Sequence, residues 1–227
     1  MRILFCGKNC YTGFVLKTHL YLHEKEAPII KGGTATRKES PKVTIALVAV
    51  NVIIFLLAEI ISGSTLSTPV LVKWGGADVE RIALGEYWRL FTAMFLHAGI
   101  RHLLNNMLIL YVLGQHLEYL LGPVKYALLY LACGVIANLT AFRFYLMREH
   151  YVVAVGASGA VFAVIGALIW IILLNKGHVR GLTLRQMMIM LAFSLYFGLV
   201  STDVSNAAHI AGLIAGFISG IVLYRKR

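Results

Sequence analysis

The sequence predicts an all-α, polytopic membrane protein whose chain crosses the bilayer six times. Of the 227 residues, 59% are apolar and only 14% are charged, whereas soluble globular chains carry about 25% charged residues. Six apolar runs also approach the length of about 20 residues that a membrane-spanning helix needs. These runs occupy most of the chain, so a soluble enzyme with a single membrane anchor is excluded.

The chain divides into a basic N-terminal segment, residues 1–42, and a six-helix domain, residues 43–227. The first segment contains no apolar core followed by a small-residue cleavage site, so the first long apolar run should stay in the mature protein. Between breaker residues, the apolar runs predict membrane spans near these ranges: 43–62, 102–121, 124–146, 152–174, 183–200 and 205–224.

Lysine and arginine residues predict the orientation of the spans. With the N-terminus in the cytoplasm, 15 of the 21 basic residues fall on the cytoplasmic side and 6 on the outer side, the asymmetry that membrane proteins show. We therefore expect a multi-pass protein of the cell membrane with both termini cytoplasmic. This asymmetry also explains the net charge of +11. Basic residues do not alternate with aromatic residues as in a nucleic-acid-binding surface, so nucleic acid is not expected as a partner.

Polar residues recur at one depth of the predicted bundle. Spans two, four and six all run from outside to inside, so residues equally far into each should lie level. Ser158 is about six residues into span four, and His209 about four residues into span six. His102 and Asn106 begin span two. At about 1.5 Å per residue, all four lie within a turn or two of the outer surface. Polar groups inside a bilayer are costly, which makes these residues candidates for function.

Spans four and six can approach each other closely, because each carries a ridge of small residues: Gly159, Ala163 and Ala167, and Ala208, Gly212, Gly216 and Gly220. A serine hydroxyl becomes a good nucleophile when a neighbouring imidazole takes its proton. The pattern therefore predicts a pair of Ser158 and His209. Asn106, His102 and the backbone N–H groups around Ser158 are available to stabilise an oxyanion.

Several motifs, in order along the chain, now resemble those of a known family. They are Trp88-Arg89, His97, His102-x-x-x-Asn106, Gly156-Ala157-Ser158-Gly159, and Ala208-His209-x-x-Gly212-x-x-x-Gly216. Over about residues 85–220 the chain resembles the rhomboid intramembrane serine proteases.

The resemblance implies a six-helix rhomboid bundle that cleaves transmembrane segments of membrane proteins near the outer surface. Ser158 matches the nucleophile and His209 the general base of a catalytic dyad. Asn106, His102 and the Ser158 backbone match the oxyanion hole, and Phe162 matches an aromatic ring that packs against the imidazole. Structural positions of the family are matched by Trp88, Arg89, His97, Gly156, Gly159, Gly212 and Gly216.

No acidic residue is expected to complete a triad. Asp203 precedes His209 by six residues, an offset that faces largely away on a helix. Nor is Gly156–Ala160 the nucleophile elbow of α/β-hydrolases, because Ala160 replaces its last glycine and no strand is predicted before it. The family needs no cofactor, so none is expected here.

Two other functions stay open at this point. A catalytically silent rhomboid-like protein that binds membrane clients shares the fold but normally lacks the dyad. A small transporter is disfavoured, since no internal repeat is visible and the polar groups cluster near the outer surface rather than at the midplane.

The N-terminal segment has a weak metal-binding pattern. Cys6, Cys10, His19 and His23 are zinc-ligand residue types, but their central spacing is shorter than the usual two-cysteine, two-histidine pattern. The alternative is a disordered or peripheral cytoplasmic arm whose thiols stay reduced.

Overall fold

The computed structural model describes residues 40–200 and 205–226, with the backbone alone for 197–200. In these ranges a helical bundle carries two small two-stranded sheets. The elements, in chain order, are α1 (Lys42–Ser62), α2 (Thr68–Lys73), β1 (Ala77–Asp78), α3 (Val79–Ala83), α4 (Arg89–Thr92), α5 (Gly99–Leu121), α6 (Pro123–Leu146), β2 (Val153–Ala154), α7 (Ser158–Leu174), β3 (His178–Val179), β4 (Leu182–Thr183), α8 (Leu184–Val200) and α9 (Asn206–Leu223).

Helices α1 and α5 to α9 fall on the predicted spans. Their ends agree with the predicted boundaries within three residues, except at the start of α7. Helices α1, α6 and α9 are long and apolar enough to cross a membrane, and α7 and α8 contain shorter apolar helices. The total of six crossings stays a prediction. The zinc candidates Cys6, Cys10, His19 and His23, and also Asp203, lie outside the described residues.

Helix α7 lies at the centre of the bundle. It is apolar on every side, as expected of a helix surrounded by other helices, and thirteen of its seventeen residues are buried. It contacts α9 most extensively and also packs against α6, α5 and α8, while α1 packs against α5. The first residues of α7 are therefore held in place by several neighbouring helices.

The predicted start of the fourth span, residue 152, is wrong. Helix α7 begins at Ser158, so this serine is its first residue rather than lying about six residues into it. Residues 153–154 instead form β2, which pairs antiparallel with β1, and Gly156 has a φ of +124°. That backbone conformation strongly favours glycine and cannot continue a helix. The apolar residues continue without a break from residue 152 into the helix, but those before Gly156 have an extended backbone.

Glu118 joins the start of α1 to the end of α5. Its carboxylate accepts hydrogen bonds from Val43 N (2.9 Å), Thr44 N (2.8 Å) and Thr44 Oγ1 (2.7 Å). The first N–H groups of a helix have no partner within the helix, and Pro41 at the N-cap has no side chain that could serve them. The buried Glu118 therefore caps α1 from a different helix.

Replacing Glu118 by Gln should destabilise the bundle. The glutamine side chain has the same shape but a single acceptor oxygen, whereas the two carboxylate oxygens of Glu118 accept three hydrogen bonds. A buried donor left without an acceptor costs about 1–3 kcal/mol. We expect a lower thermal unfolding midpoint in detergent. Gln115→Ala is the control, because Gln115 donates within its own helix, to Tyr111 O. Equal midpoints for Glu118→Gln and the native protein would contradict the capping role.

Candidate active site

The α7–α9 interface brings two helix backbones into direct contact. A Cβ added at Gly212 would collide with the carbonyl oxygen of Gly159, and one at Gly216 would collide with Ala163. At the top of the interface, a Cβ on Gly159 would lie 3.8 Å from Ala208 O. The predicted small-residue ridges therefore face each other, and they set Ser158-Gly159 beside Ala208-His209.

The predicted nucleophile and base lie at the starts of these two helices. Ser158 is the first residue of α7 and is half-buried, whereas His209 is the fourth residue of α9 and is buried. The Phe162 ring, one turn after Ser158, stacks on the His209 ring with a centroid separation of 4.1 Å and an interplanar angle of 10°. This stacking fixes the plane of the imidazole at the level of the first turn of α7.

His209 Nδ1 is buried and has no hydrogen-bond partner among the described residues. No carboxylate within the described ranges therefore orients the imidazole. Its orientation comes from the stacking on Phe162 and from the helix backbone, where His209 N donates to Ser205 O (3.1 Å).

His102 and Asn106 approach the same segment from α5. A Cβ on Gly156 would lie 2.8 Å from His102 Nε2 and 3.8 Å from Asn106 Nδ2. The buried Asn106 donates one amide hydrogen to His102 O (3.1 Å), which holds the amide on the face of α5 that points to residues 156–158. The other amide hydrogen is available for a group at that surface.

Backbone N–H groups also point into this region. Because α7 begins at Ser158, the N–H groups of its first turn have no partner within the helix and lie at the positive end of the helix dipole. The chain before it is anchored, since Gly156 N donates to Ala93 O (2.9 Å) and Ala157 N to His97 Nε2 (3.4 Å). A small anion at the start of α7 would therefore meet preorganised donors.

Trp88 and Arg89 organise the segment between α1 and α5. Arg89 is buried, and its Nη1 donates to Val72 O (2.7 Å) and Gly76 O (3.1 Å). Its Nε donates to Glu86 (2.6 Å), and its guanidinium lies 4.5 Å from the centroid of the Trp88 ring. Arg89 thus ties the residues before β1 to α4.

One contact near the site was not predicted from the sequence. Tyr145 Oη, in the last turn of α6, donates to Ser205 Oγ (3.1 Å), and Ser205 Oγ accepts from Ala208 N (3.3 Å). Ser205 is thus the N-cap of the helix that carries His209. A serine just before an apolar run is an N-cap signal, but the pairing with Tyr145 is a contact between distant parts of the chain.

A metal site is not found in the described part of the chain, where no group of three or more His, Cys, Asp or Glu side chains could hold an ion. The zinc hypothesis for the N-terminal segment stays a prediction.

The backbone contact between α7 and α9 predicts that Gly212→Ala destabilises the bundle. The new methyl group meets a backbone carbonyl, which cannot move aside as a side chain would, and such overpacking costs about 1–3 kcal/mol. Thermal unfolding in detergent should show a lower midpoint than for Ile214→Ala, which truncates an exposed side chain of the same helix. A Gly212→Ala midpoint at or above that of the native protein would contradict the contact.

The ion pair of Arg89 predicts a pH dependence of stability. The hydrogen bond from Arg89 lowers the pKa of Glu86, so the folded protein holds this carboxylate ionised more strongly than the unfolded chain does. The stabilisation is present above the unfolded pKa and is lost as the pH falls through the lowered folded pKa. Glu86→Gln should unfold at a lower temperature than the native protein at pH 6, and the difference should shrink towards pH 3. A difference that is constant with pH would contradict this origin.

The sequence of this chain is similar to those of a known protein family. A sequence profile described as the Rhomboid domain matches residues 84–226, a range that contains Asn106, Ser158 and His209. Rhomboid protease GluP of Bacillus subtilis (strain 168) is 35% identical over 198 residues, which are 87% of this chain and 37% of that protein.

Further relatives come from the same bacterium and from a plant. Putative rhomboid protease YdcA of Bacillus subtilis (strain 168) is 31% identical over 146 residues, 64% of this chain and 72% of that protein. RHOMBOID-like protein 4 of Arabidopsis thaliana is 37% identical over 164 residues, 69% of this chain and 39% of that protein. The chain therefore spans less than half the length of GluP and of RHOMBOID-like protein 4.

Proposed function

The chain belongs to the rhomboid family of intramembrane serine proteases, and on that premise we propose that it is a serine endopeptidase that cleaves transmembrane helices of other membrane proteins. As a member of this family it is an integral membrane protein with a helical bundle. The main support for catalysis is the stacking of the His209 ring on Phe162, which lies one turn after Ser158 on α7, because an imidazole held at the level of a serine is suited to take the proton of its hydroxyl.

In the proposed reaction, Ser158 Oγ attacks the carbonyl carbon of a substrate peptide bond while His209 takes the hydroxyl proton. The carbonyl oxygen becomes an oxyanion. When the C–N bond breaks, His209 returns the proton to the leaving amine and an ester links the new carboxyl end to Ser158. Water, deprotonated by the same imidazole, then hydrolyses the ester and frees Ser158.

The oxyanion is proposed to lie at the start of α7. Its donors would be the Ser158 backbone N–H, the free amide hydrogen of Asn106, and His102. The close approach of Gly156 to His102 and Asn106 supports this assignment, because it keeps the α5 side chains beside the helix start. Donors fixed before the reaction stabilise developing charge without reorganisation.

The substrate is proposed to unwind where its helix enters the site, since the peptide bond must be extended to reach Ser158. Backbone freed from a helix at membrane depth is tolerated only where protein or water satisfies it. His102, Asn106 and the N–H groups of α7 provide such polar partners. They lie within about the first two turns of α5 and the first turn of α7, where water also reaches most easily.

We propose that the protein lies in the plasma membrane and that both of its termini are in the cytoplasm. Residues 43–227 would form the protease domain with six crossings, and residues 1–42 a cytoplasmic segment. Support comes from the excess of basic residues at one end of the helices, and in this orientation Ser158 and His209 would lie near the outer surface.

Ser158→Ala tests the assignment of the nucleophile. The native protein, purified in detergent, should cleave a single-span membrane substrate and react with a fluorophosphonate probe. Ser158→Ala should lose at least about 10³-fold of the cleavage rate and all of the labelling. Ser219→Ala is the matched control, because Ser219 lies on α9 and interacts with Cys133 Sγ (3.3 Å), and it should keep both activities.

Cleavage or labelling that persists in Ser158→Ala would contradict the assigned nucleophile. A native protein that binds the substrate without cleaving it or reacting with the probe would contradict catalysis and favour a client-binding member of the family.

A further inference from the structure

One end of the bundle carries a strong excess of positive charge. It is the end where α1, α6 and α8 begin and α5, α7 and α9 end. Within the described residues, one acidic side chain lies there, Glu118, and it is buried with both oxygens bonded to the start of α1. The basic residues there, here named the basic end, are Lys42, Lys125, Lys176, Arg180, Arg185, Arg225 and Lys226.

Contacts between distant parts of the chain hold the basic end together. Lys125 Nζ donates to Leu223 O (3.3 Å), and Lys226 Nζ donates to Leu174 O (3.1 Å). These two lysines therefore cap the last carbonyl groups of α9 and α7. Lys125 and Lys226 are thus held against the ends of neighbouring helices rather than extending away from the bundle.

Arg180 occupies an unusual position on this surface. It lies between β3 and β4 in a two-residue turn with Gly181, and both residues have positive φ, +47° and +80°. Asparagine or glycine is strongly preferred at the first of these positions, yet an arginine is held there. Lys176, followed by Gly177, is a second basic residue at positive φ, +60°.

The guanidinium of Arg180 packs on an aromatic ring, whereas its N–H groups donate to no other group in the described part of the chain. It lies 3.5 Å from the centroid of the Tyr119 ring, so its flat face is covered by the end of α5. Its N–H groups have no acceptor among the described residues. A guanidinium stacked in this way presents its edge in the geometry that binds two oxygens of a phosphate.

The opposite end provides a contrast within the same molecule. Arg148 also stacks on an aromatic ring, with its guanidinium 4.2 Å from the Phe144 centroid, but it precedes Glu149, and Arg81 and Arg89 both pair with Glu86. The other described acidic residues lie at that end: Glu59, Asp78, Glu80, Glu86 and Glu149. Stacked arginines occur at both ends, but among the described residues seven basic side chains face one acidic side chain at the basic end, whereas six basic and five acidic side chains nearly balance at the opposite end.

We propose that the basic end binds the phosphate groups of anionic phospholipids, with Arg180 and Lys176 as the main ligands. Lipid is the favoured source of phosphate because the surface rings the ends of helices that carry apolar side chains to the lipid, among them the exposed Leu128, Ile221 and Val222. Each basic residue near a negative membrane surface strengthens binding by about fivefold. This surface is independent of proteolysis and lies at the other end of the helices from Ser158.

The test compares lipid binding by variants that keep the fold. The protein, purified in a non-ionic detergent, is titrated with short-chain phosphatidylglycerol or phosphatidylcholine. Native mass spectrometry counts the bound lipids, and thermal unfolding without lipid checks the fold. Arg180→Asn and Lys176→Asn are chosen because asparagine tolerates positive φ. Arg148→Gln is the matched control at the opposite end.

We expect the native protein to bind phosphatidylglycerol in preference to phosphatidylcholine. The double variant of Arg180 and Lys176 should lose about 25-fold of the phosphatidylglycerol affinity, and Arg148→Gln should lose none. Equal binding of the two lipids, or an equal loss in Arg148→Gln, would overturn the proposal. Complete displacement of the lipid by millimolar inorganic phosphate would overturn the lipid source and indicate a site for free phosphate.

Discussion

The structure depends on the contact between the backbones of α7 and α9. Helices in a bilayer gain little from burying apolar side chains, because lipid is equally apolar, and they associate through close packing instead. Gly212 and Gly216 leave room for the backbone around Gly159 and Ala163. Any side chain at these glycines would push the helices apart, and with them the residues at their first turns.

This contact explains why a polar site can exist beside a bundle of apolar helices. Ser158, His209 and His102 all lie within about the first turn of their helices, and at the start of α7 the first backbone N–H groups have no partner within the helix. A single geometric feature, the common level of three helix starts, supplies a hydroxyl, an imidazole and N–H donors. The segment before α5 is joined to the segment before α7 by the pairing of β1 with β2 and by the hydrogen bond from Ala157 N to His97, and Arg89 braces the first of these segments. Loop contacts as well as helix packing therefore fix where α5 and α7 begin relative to each other.

The sequence was sufficient to predict the long helices and the small-residue faces of α7 and α9 that contact each other, for physical reasons that can be named. Apolar runs of fixed length reflect the thickness of the bilayer, and the small-residue spacing along α9 follows from the helix period. The start of α7 was predicted wrongly because residues 152–157 continue the apolar composition, whereas the pairing of β2 with β1 and the positive φ of Gly156 delay the start of the helix to Ser158. The partnership of Tyr145 with Ser205 and the capping of α1 by Glu118 are contacts between distant segments, which composition and periodicity do not encode.

The most direct measurement of the central claim uses a bifunctional serine protease inhibitor that acylates a serine and then alkylates a nearby imidazole. After reaction with the purified protein and digestion, mass spectrometry should find one inhibitor molecule joining the peptides that contain Ser158 and His209. An adduct on another serine, or an inhibitor on Ser158 that captures a residue other than His209, would contradict the account that backbone contact between α7 and α9 holds these two residues together.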